Sequence, residues 1–203
     1  MTRHALKAKA KQALGGKIFD SKWLYAVLAV FVCSAIIGAA GSVGIVVGGL
    51  IIMGPMTYGL EKMFLKASRD HEQMRLEDLF AGFNEDFSGT LLIGLMSDIF
   101  IFLWSLLFVI PGIIMTYAYS MAYFIKADHP EYGWQQCLSE SKAMMKGHKW
   151  DLFVLDLSFL GWMILSSFCF GIGSLWVTAW QNAARAEFYN ELSGYRPEIE
   201  QFN

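Results

Sequence analysis

The chain has 203 residues, of which 55% are hydrophobic and 17% are charged, and its formal net charge is −2. Soluble proteins usually carry about 25% charged residues, so the composition argues against an ordinary soluble domain, and the near-neutral charge excludes the overall basic field that attracts nucleic acid. The length allows one membrane domain and no second globular domain of normal size.

Three segments almost lack charged residues, and each is about twice as long as the roughly 20 residues that one membrane crossing requires. They are Trp23–Leu60, Ser88–Ile125 and Leu152–Ala184. Turns that contain glycine or proline interrupt each segment near its middle, where a helix is expected to stop and reverse. The pattern predicts an all-α membrane protein with six transmembrane helices arranged as three hairpins. The predicted helices are Trp23–Ala40, Val43–Leu65, Ser88–Val109, Gly112–Ile125, Leu152–Phe170 and Ser174–Tyr189.

Lysine and arginine residues occur in four regions of the chain, and the three hairpin turns have none. These regions precede the first predicted helix, separate the second helix from the third and the fourth from the fifth, and close the chain. The positive-inside rule therefore predicts that both termini and both long loops are cytoplasmic. The run Leu24–Ala40 also imitates a secretory signal peptide, but the long basic region before it and the apolar sequence after it favour a membrane span.

A short amphipathic stretch precedes each hairpin and has apolar side chains at a spacing of three or four residues, which places them on one helical face. We interpret the recurrence as a threefold internal repeat. The single membrane domain 1–203 is then divided into a cytoplasmic basic amphipathic helix at 1–22, hairpin one at 23–65, a second cytoplasmic amphipathic helix at 66–87, hairpin two at 88–125, a third such helix at 126–151, hairpin three at 152–192 and a cytoplasmic tail at 193–203.

Several segments in the second half of the chain resemble the signature of an uncharacterised bacterial membrane family, catalogued as domain of unknown function 975. These segments are Leu103–Ile114, Tyr117–Tyr123, Ala127–Glu131, Ser141–Lys149, Leu157–Trp162, Phe170–Trp176 and Ala186–Leu192. One departure is Ala179-Trp180, where relatives often carry Pro-Tyr. The resemblance implies a multi-pass protein of the bacterial cytoplasmic membrane. It implies no activity, because none is established for the family.

Asp98 lies near the middle of the third predicted helix among apolar neighbours. A carboxylate at that depth costs about 2.5–3.5 kcal/mol on insertion scales, so it should face the bundle interior, a partner or water. One interpretation is an ion, proton or substrate site. The other is a neutral or paired carboxyl group that fixes helix packing, and the sequence leaves both open.

Four further residues complete the candidate intramembrane polar site. They are Asp156, Gln181, Asn182 and Arg185. The last three form a polar stripe at helical spacing, and either Asp98 or Asp156 would pair with Arg185 if the helices are adjacent. We favour a simpler interpretation of Arg185, in which the last helix emerges into the cytoplasm at that point.

The search for catalytic motifs is negative, since the sequence has no His-Glu-x-x-His, no P-loop and no Gly-x-Ser-x-Gly. We therefore expect no enzyme activity, no catalytic residue, no cofactor and no metal site. Lys146, His148 and Lys149 are a candidate contact for a lipid phosphate, or ordinary flanking charges. The segment Gly44–Gly48 spells Gly-x-x-x-Gly, which fits either a homo-oligomer contact or packing inside hairpin one.

Two functional hypotheses follow from these observations. The first is a non-enzymatic membrane protein that binds partners or lipids, or organises an assembly, with the bilayer, an anionic lipid or another membrane protein as its partner. Its amphipathic helices would lie in the membrane interface. The alternative is a small transporter or channel-like protein that uses the intramembrane polar residues.

Overall fold

The computed structural model describes residues 3–15, 21–42, 46–69, 74–107, 109–167 and 172–195, and these residues form helices and turns without a strand. The predicted all-α class is confirmed. The helices are α1 Arg3–Ala13, α2 Ser21–Ser42, α3 Val46–Arg69, a 3-10 helix Leu76–Phe80, α4 Ala81–Asn84, α5 Phe87–Leu107, α6 Val109–Tyr119, α7 Ala122–Asp128, α8 Trp134–Met144, α9 Lys149–Ser167 and α10 Ile172–Ser193.

Five of the six predicted membrane helices correspond to single helices, namely α2, α3, α5, α9 and α10. The predicted helix Gly112–Ile125 is divided into α6 and α7, with a break at Ser120 and Met121. The hydroxyl of Ser141, on α8, bridges this break, because it accepts a bond from the Met121 amide at 3.2 Å and donates one to the Ala118 carbonyl at 2.8 Å. A neighbouring helix thus satisfies the backbone groups that the break releases.

Among the described residues, the segment Phe87–Leu106 of α5 is the one stretch long and apolar enough to cross a membrane, and Lys22–Ile37 is a shorter apolar helix. The fourth predicted crossing is divided, and α3 and α10 carry charged residues in their C-terminal halves. The six crossings and the multi-pass topology therefore stay predictions.

Large apolar side chains cover the outside of α5, α6 and α9. Only 11% of the apolar segment of α5 is buried within the protein. Phe102, Leu106 and Val109 are 66%, 77% and 72% exposed, and neighbouring turns of α6 and α9 continue the surface. An apolar surface of this extent marks contact with lipid or with another protein.

The three amphipathic segments pack in a regular order on neighbouring hairpins. The 3-10 helix and α4 contact α3, α8 contacts α7, and α1 contacts α10. The second and third segments thus pack on the second helix of the hairpin before them in the chain. The first segment, α1, packs on α10, the second helix of the last hairpin, so the arrangement is circular. The first helix of each hairpin follows the same order, since α5 contacts α3, α9 contacts α6 and α2 contacts α10. This arrangement agrees with a threefold internal repeat.

The circular packing covers the apolar faces of the amphipathic segments with protein. Leu6 and Ala10 of α1, and Leu14 directly after it, are at most 4% exposed, and Leu79 and Cys137 are fully buried in the other two segments. The described parts of α1 and α8 therefore have little apolar surface left for a lipid interface, whereas Phe80 of the 3-10 helix is 42% exposed.

Glycine ends two of the amphipathic helices. Gly15 follows α1 with φ 97° and Gly147 follows α8 with φ 93°, which is the left-handed conformation that helix ends reserve for glycine. Gly82 has another role, because it lies inside α4 and a Cβ atom there would be 2.4 Å from the Pro55 carbonyl oxygen. The absent side chain lets α4 touch the backbone of α3.

A charged cluster joins the ends of α3, α7 and α10. The Arg69 guanidinium donates to both carboxylate oxygens of Asp128, at 2.5 and 2.7 Å, and its Nε donates to Asn190 at 2.8 Å. The Tyr189 hydroxyl donates to Asp128 at 2.8 Å. Because such a bidentate pair fixes both partners, the cluster holds the three hairpins together where their second helices end.

A second ion pair fixes the start of α5. Asp86 accepts a bond from the Gly89 amide at 2.8 Å, as a helix cap does, and lies 2.6 Å from Lys126 Nζ. Lys126 is 2% exposed and also donates to the carbonyls of Pro130 and Tyr132, each at 2.8 Å. The hydrogen bond from Lys126 holds the pKa of Asp86 below its usual value.

Gly59 should be sensitive to substitution, because a Cβ atom there would lie 2.0 Å from the Leu79 carbonyl oxygen. We expect Gly59→Ala to lower the free energy of unfolding by about 1–3 kcal/mol, the usual cost of overpacking. The matched control is Gly161→Ala, since nothing lies within 4 Å of that position and alanine favours a helix. Thermal unfolding followed by circular dichroism measures both, and equal effects would contradict this description of the packing.

Asp86 should make stability depend on pH. A carboxyl group whose folded pKa lies below its unfolded value of about 3.9 stabilises the fold fully above that value, and this contribution is lost as the pH falls through the folded pKa. We expect Asp86→Asn to be less stable than the wild type at pH 7 and to lose less stability below pH 4. Urea unfolding from pH 7 to pH 3 measures the difference, with Glu77→Gln as the exposed control. Parallel curves for Asp86→Asn and the wild type would contradict the assignment.

Candidate functional site

A cavity of about 220 Å³ lies between α3, α5, α6, α7 and α10. This volume is several times the roughly 30 Å³ that one water molecule occupies. Many of its lining groups are polar. The lining residues are Met53, Gly54, Thr57, Glu61, Gly94, Ser97, Asp98, Ile101, Thr116, Tyr117, Tyr119, Ser120, Tyr123 and Arg185.

Helical spacing explains why these residues meet. Gly54, Thr57 and Glu61 follow one another at intervals of three and four residues on α3, which places them on one face. On α5, Gly94 faces the same helix, because a Cβ atom at Gly94 would lie 3.1 Å from the Gly54 Cα atom. A Cβ atom at Gly54 would lie 2.7 Å from the Thr90 carbonyl oxygen. The two backbones therefore touch at one edge of the cavity.

An ion pair between α9 and α10 contributes to the cavity wall. Arg185 donates to both carboxylate oxygens of Asp156, with Nη2 at 2.6 Å and Nε at 3.2 Å. Gln181 Nε2 donates to the same carboxylate at 2.8 Å. Of the two sequence alternatives, pairing of Asp156 with Arg185 matches this geometry. The favoured interpretation, emergence of Arg185 into the cytoplasm, does not account for these three bonds.

Two carboxyl groups in the lining have no such ion pair with any residue that the structure describes. Glu61 Oε2 is buried and has no hydrogen-bond partner among those residues. Asp98 lines the cavity as well, and the ion pairs among the described residues do not include it. A buried polar oxygen without a partner is costly, so Glu61 marks a place where a donor is needed.

The structure does not bring together all the residues proposed from the sequence. Asp98, Asp156, Gln181 and Arg185 gather at or beside the cavity, whereas Asn182 is not part of its lining. The lipid-contact candidates lie elsewhere. Lys146 and His148 are exposed around the turn at Gly147, Lys149 starts α9, and His148 Nδ1 lies 3.4 Å from Asp151.

Glu61 is the functional candidate that the sequence analysis missed. It directly precedes Lys62 near the end of an apolar helix, so the pair looked like ordinary flanking charge. The signal that would have found it is the stripe of Gly54, Thr57 and Glu61, because small and polar residues at helical spacing mark a face turned away from an apolar surrounding.

A second cavity, of about 420 Å³, lies beside the Arg69 cluster. Its lining includes Asp128, His129, Glu140 and Tyr195. The Arg69 guanidinium is already bound by Asp128 and Asn190, and it also lies 4.4 Å from the centre of the Tyr195 ring. Because Arg69 and Asp128 are paired with each other at the ends of α3 and α7, this cavity belongs to the junction of the hairpins.

The part of the chain that the structure describes contains no group of three histidine, cysteine or acidic side chains that could hold a metal ion. The site is a cavity of mixed polar and apolar lining that contains the carboxyl groups of Glu61 and Asp98 and the guanidinium of Arg185, which is paired with Asp156.

Comparison with known proteins gives one finding. No curated protein and no solved structure matches the chain significantly. A family model described as "Protein of unknown function (DUF975)" matches residues 1–111 and 106–196. These two matches cover nearly the whole chain and agree with the resemblance found in its second half, so the chain belongs to the DUF975 family.

Proposed function

We propose that this protein is an integral protein of the bacterial cytoplasmic membrane with six crossings, both termini inside, and a small polar solute bound in the cavity that contains Glu61 and Asp98. In this proposal it acts as a small transporter or channel-like protein. The observation that carries the proposal is a polar cavity with an unmatched carboxyl oxygen inside a bundle whose outer surface is apolar.

The exposed apolar surface supports the membrane setting. The core helix of a soluble protein is mostly buried, whereas the apolar segment of α5 is 11% buried. Trp150 is 70% exposed beside Lys149 at the start of α9, a pairing typical of the boundary between lipid and water. Ionisable residues inside such a bundle face its interior and serve transport or proton relay by default.

The packing of the amphipathic segments favours a solute-binding protein over a membrane-organising one. A helix that shapes or senses a leaflet must insert its apolar face into the interface. Here the apolar faces of α1 and α8 are occupied by α10 and α7. The cavity, by contrast, has groups that remain unsatisfied.

The proposed topology predicts the labelling pattern of lysines in cells. We expect Lys142 and Lys146, between hairpins two and three, to resist a membrane-impermeant amine reagent in intact cells and to react after permeabilisation. The variant Ser42→Lys, which places a lysine at the predicted outer turn, should react in intact cells. Peptide mass spectrometry locates the label. Reaction of Lys142 or Lys146 from outside would overturn the topology.

Bound solute should be detectable in protein extracted directly into native lipid discs. We expect native mass spectrometry to show a small-molecule adduct on the wild type. The adduct should disappear in Ser97→Phe and in Ser120→Phe, because each fills the cavity from a different helix. Ile99→Phe is the matched control, since Ile99 is on the same helix as Ser97 but is exposed on the outside.

Two results would count against solute binding. The first is the absence of an adduct on the wild type, so that its spectrum matches the spectra of Ser97→Phe and Ser120→Phe. The second is an adduct that remains in both Ser97→Phe and Ser120→Phe. Unfolding temperatures close to that of Ile99→Phe would show that Ser97→Phe and Ser120→Phe are folded. Two cavity variants are used so that the test still works if one of them does not fold.

Anionic lipid is a second candidate ligand, at the exposed residues Lys146 and His148 and the partly buried Lys149. It is favoured by the neighbouring exposed ring of Trp150, because basic and aromatic side chains together suit the level of the lipid head groups. In the same spectra, Lys146→Gln with Lys149→Gln should reduce retained anionic lipid and leave the solute adduct unchanged. Undiminished lipid would remove this contact.

A further inference from the structure

We propose that the cavity selects a small organic cation, such as an alkylammonium group, and that the carboxyl groups of Glu61 and Asp98 recognise its charge. This inference rests on the proposed solute-binding function and names the chemical class of the solute. It follows from the charge balance of the cavity, from the unmatched oxygen of Glu61 and from the aromatic rings in the lining.

The charges around the cavity do not balance. Glu61 comes from α3 and Asp98 from α5, while Arg185 is the one cationic side chain among the described residues of the lining. Both oxygens of Asp156 already bind that guanidinium, so the pair neutralises itself. In their ionised forms, the carboxyl groups of Glu61 and Asp98 therefore give the cavity an excess of negative charge. Low-dielectric walls strengthen the interaction of such charges with a ligand, and a cation is the ligand that would neutralise them.

The oxygen of Glu61 specifies a hydrogen-bond donor. An ionised carboxylate only accepts hydrogen bonds, and Glu61 Oε2 has no donor in the part of the chain that the structure describes. Thr57 lies one turn earlier on the same helix, but its hydroxyl donates to the Met53 carbonyl at 2.7 Å. An ammonium group carries both the positive charge and the N–H donors that this oxygen lacks.

The rest of the lining suits the organic part of such a ligand. Tyr117, Tyr119 and Tyr123 border the cavity, and tyrosine rings attract alkylammonium groups through their negative faces. The volume of about 220 Å³ holds a molecule of several heavy atoms, and a proton alone would leave most of it unused. Carboxyl groups on two helices, together with tyrosine rings in the same lining, therefore match a small amine or quaternary ammonium ion.

Charged thiol reagents test this selectivity whatever the identity of the solute. Ser97→Cys and Ser120→Cys place a thiol in the cavity from two helices, in a background with Cys33, Cys137 and Cys169 replaced. Of the described native cysteines, Cys137 is buried, and burial raises the pKa of its thiol to about 11. The probes are cationic 2-(trimethylammonium)ethyl methanethiosulfonate and anionic 2-sulfonatoethyl methanethiosulfonate, applied to protein in lipid discs.

We expect the cationic reagent to react faster in the cavity than the anionic one. The ratio of the cationic to the anionic reaction rate should exceed the same ratio at the exposed reference Ser139→Cys by about tenfold or more. Clefts lined by charges of one sign raise the local concentration of the opposite charge by this order. Glu61→Gln and Asp98→Asn should each reduce this excess, and Glu77→Gln, an exposed change of the same kind, should not. Choline should protect the thiol, while its neutral isostere 3,3-dimethylbutan-1-ol should not.

The possible outcomes separate the two proposals. If both reagents react and the ratio of the cationic to the anionic rate equals the ratio at Ser139→Cys, the carboxyl groups are neutral. This result would overturn cation selection but would leave the proposal of a solute cavity standing. An excess that survives Glu61→Gln combined with Asp98→Asn would overturn the assigned residues. Failure of both reagents to reach either thiol would overturn the solute-binding function itself.

Discussion

The ion pair between Asp156 and Arg185 is the interaction on which the interior arrangement depends. It joins the two helices of hairpin three, with Gln181 as an additional donor. Burial of a charge is tolerated when a partner and hydrogen bonds compensate it, and removal of one partner leaves the other exposed to the full penalty. The hydrogen bonds that Arg185 donates within the described part of the chain go to Asp156, and none goes to Glu61 Oε2. The bonds that join the helices of hairpin three therefore leave this Glu61 oxygen without a donor from Arg185.

The cavity lies where the three hairpins meet. Among its described lining residues, Glu61 belongs to the first hairpin, Asp98 to the second and Arg185 to the third, so each hairpin contributes one acidic or basic side chain. Glu61 and Arg185 each lie three residues before a phenylalanine, Phe64 and Phe188. In the second hairpin, the residue three positions before Phe124 is Met121, which is fully buried.

Much of the fold could be predicted from residue patterns. Apolar runs, glycine turns and amphipathic spacing indicated the order of the helices and placed most of their ends within a few residues, but the predicted helix Gly112–Ile125 is divided into α6 and α7. The break at Ser120 could not be predicted, because it depends on the hydroxyl of Ser141, which is distant in sequence. For the candidate site, local polarity singled out Asp98, Asp156 and Arg185. Glu61 was missed because, together with its neighbour Lys62, it resembles the flanking charges at the end of an apolar helix. Only tertiary packing distinguishes the surroundings of the two side chains.

The contact of α1 with α10 has a consequence for the order of assembly. The helix α1 contacts α10, which the ribosome makes after every other described helix. The apolar face of α1, which includes the buried residues Leu6 and Ala10, therefore stays uncovered by α10 until that helix has been synthesised. Docking of α1 on α10 is thus expected to follow the synthesis of hairpin three.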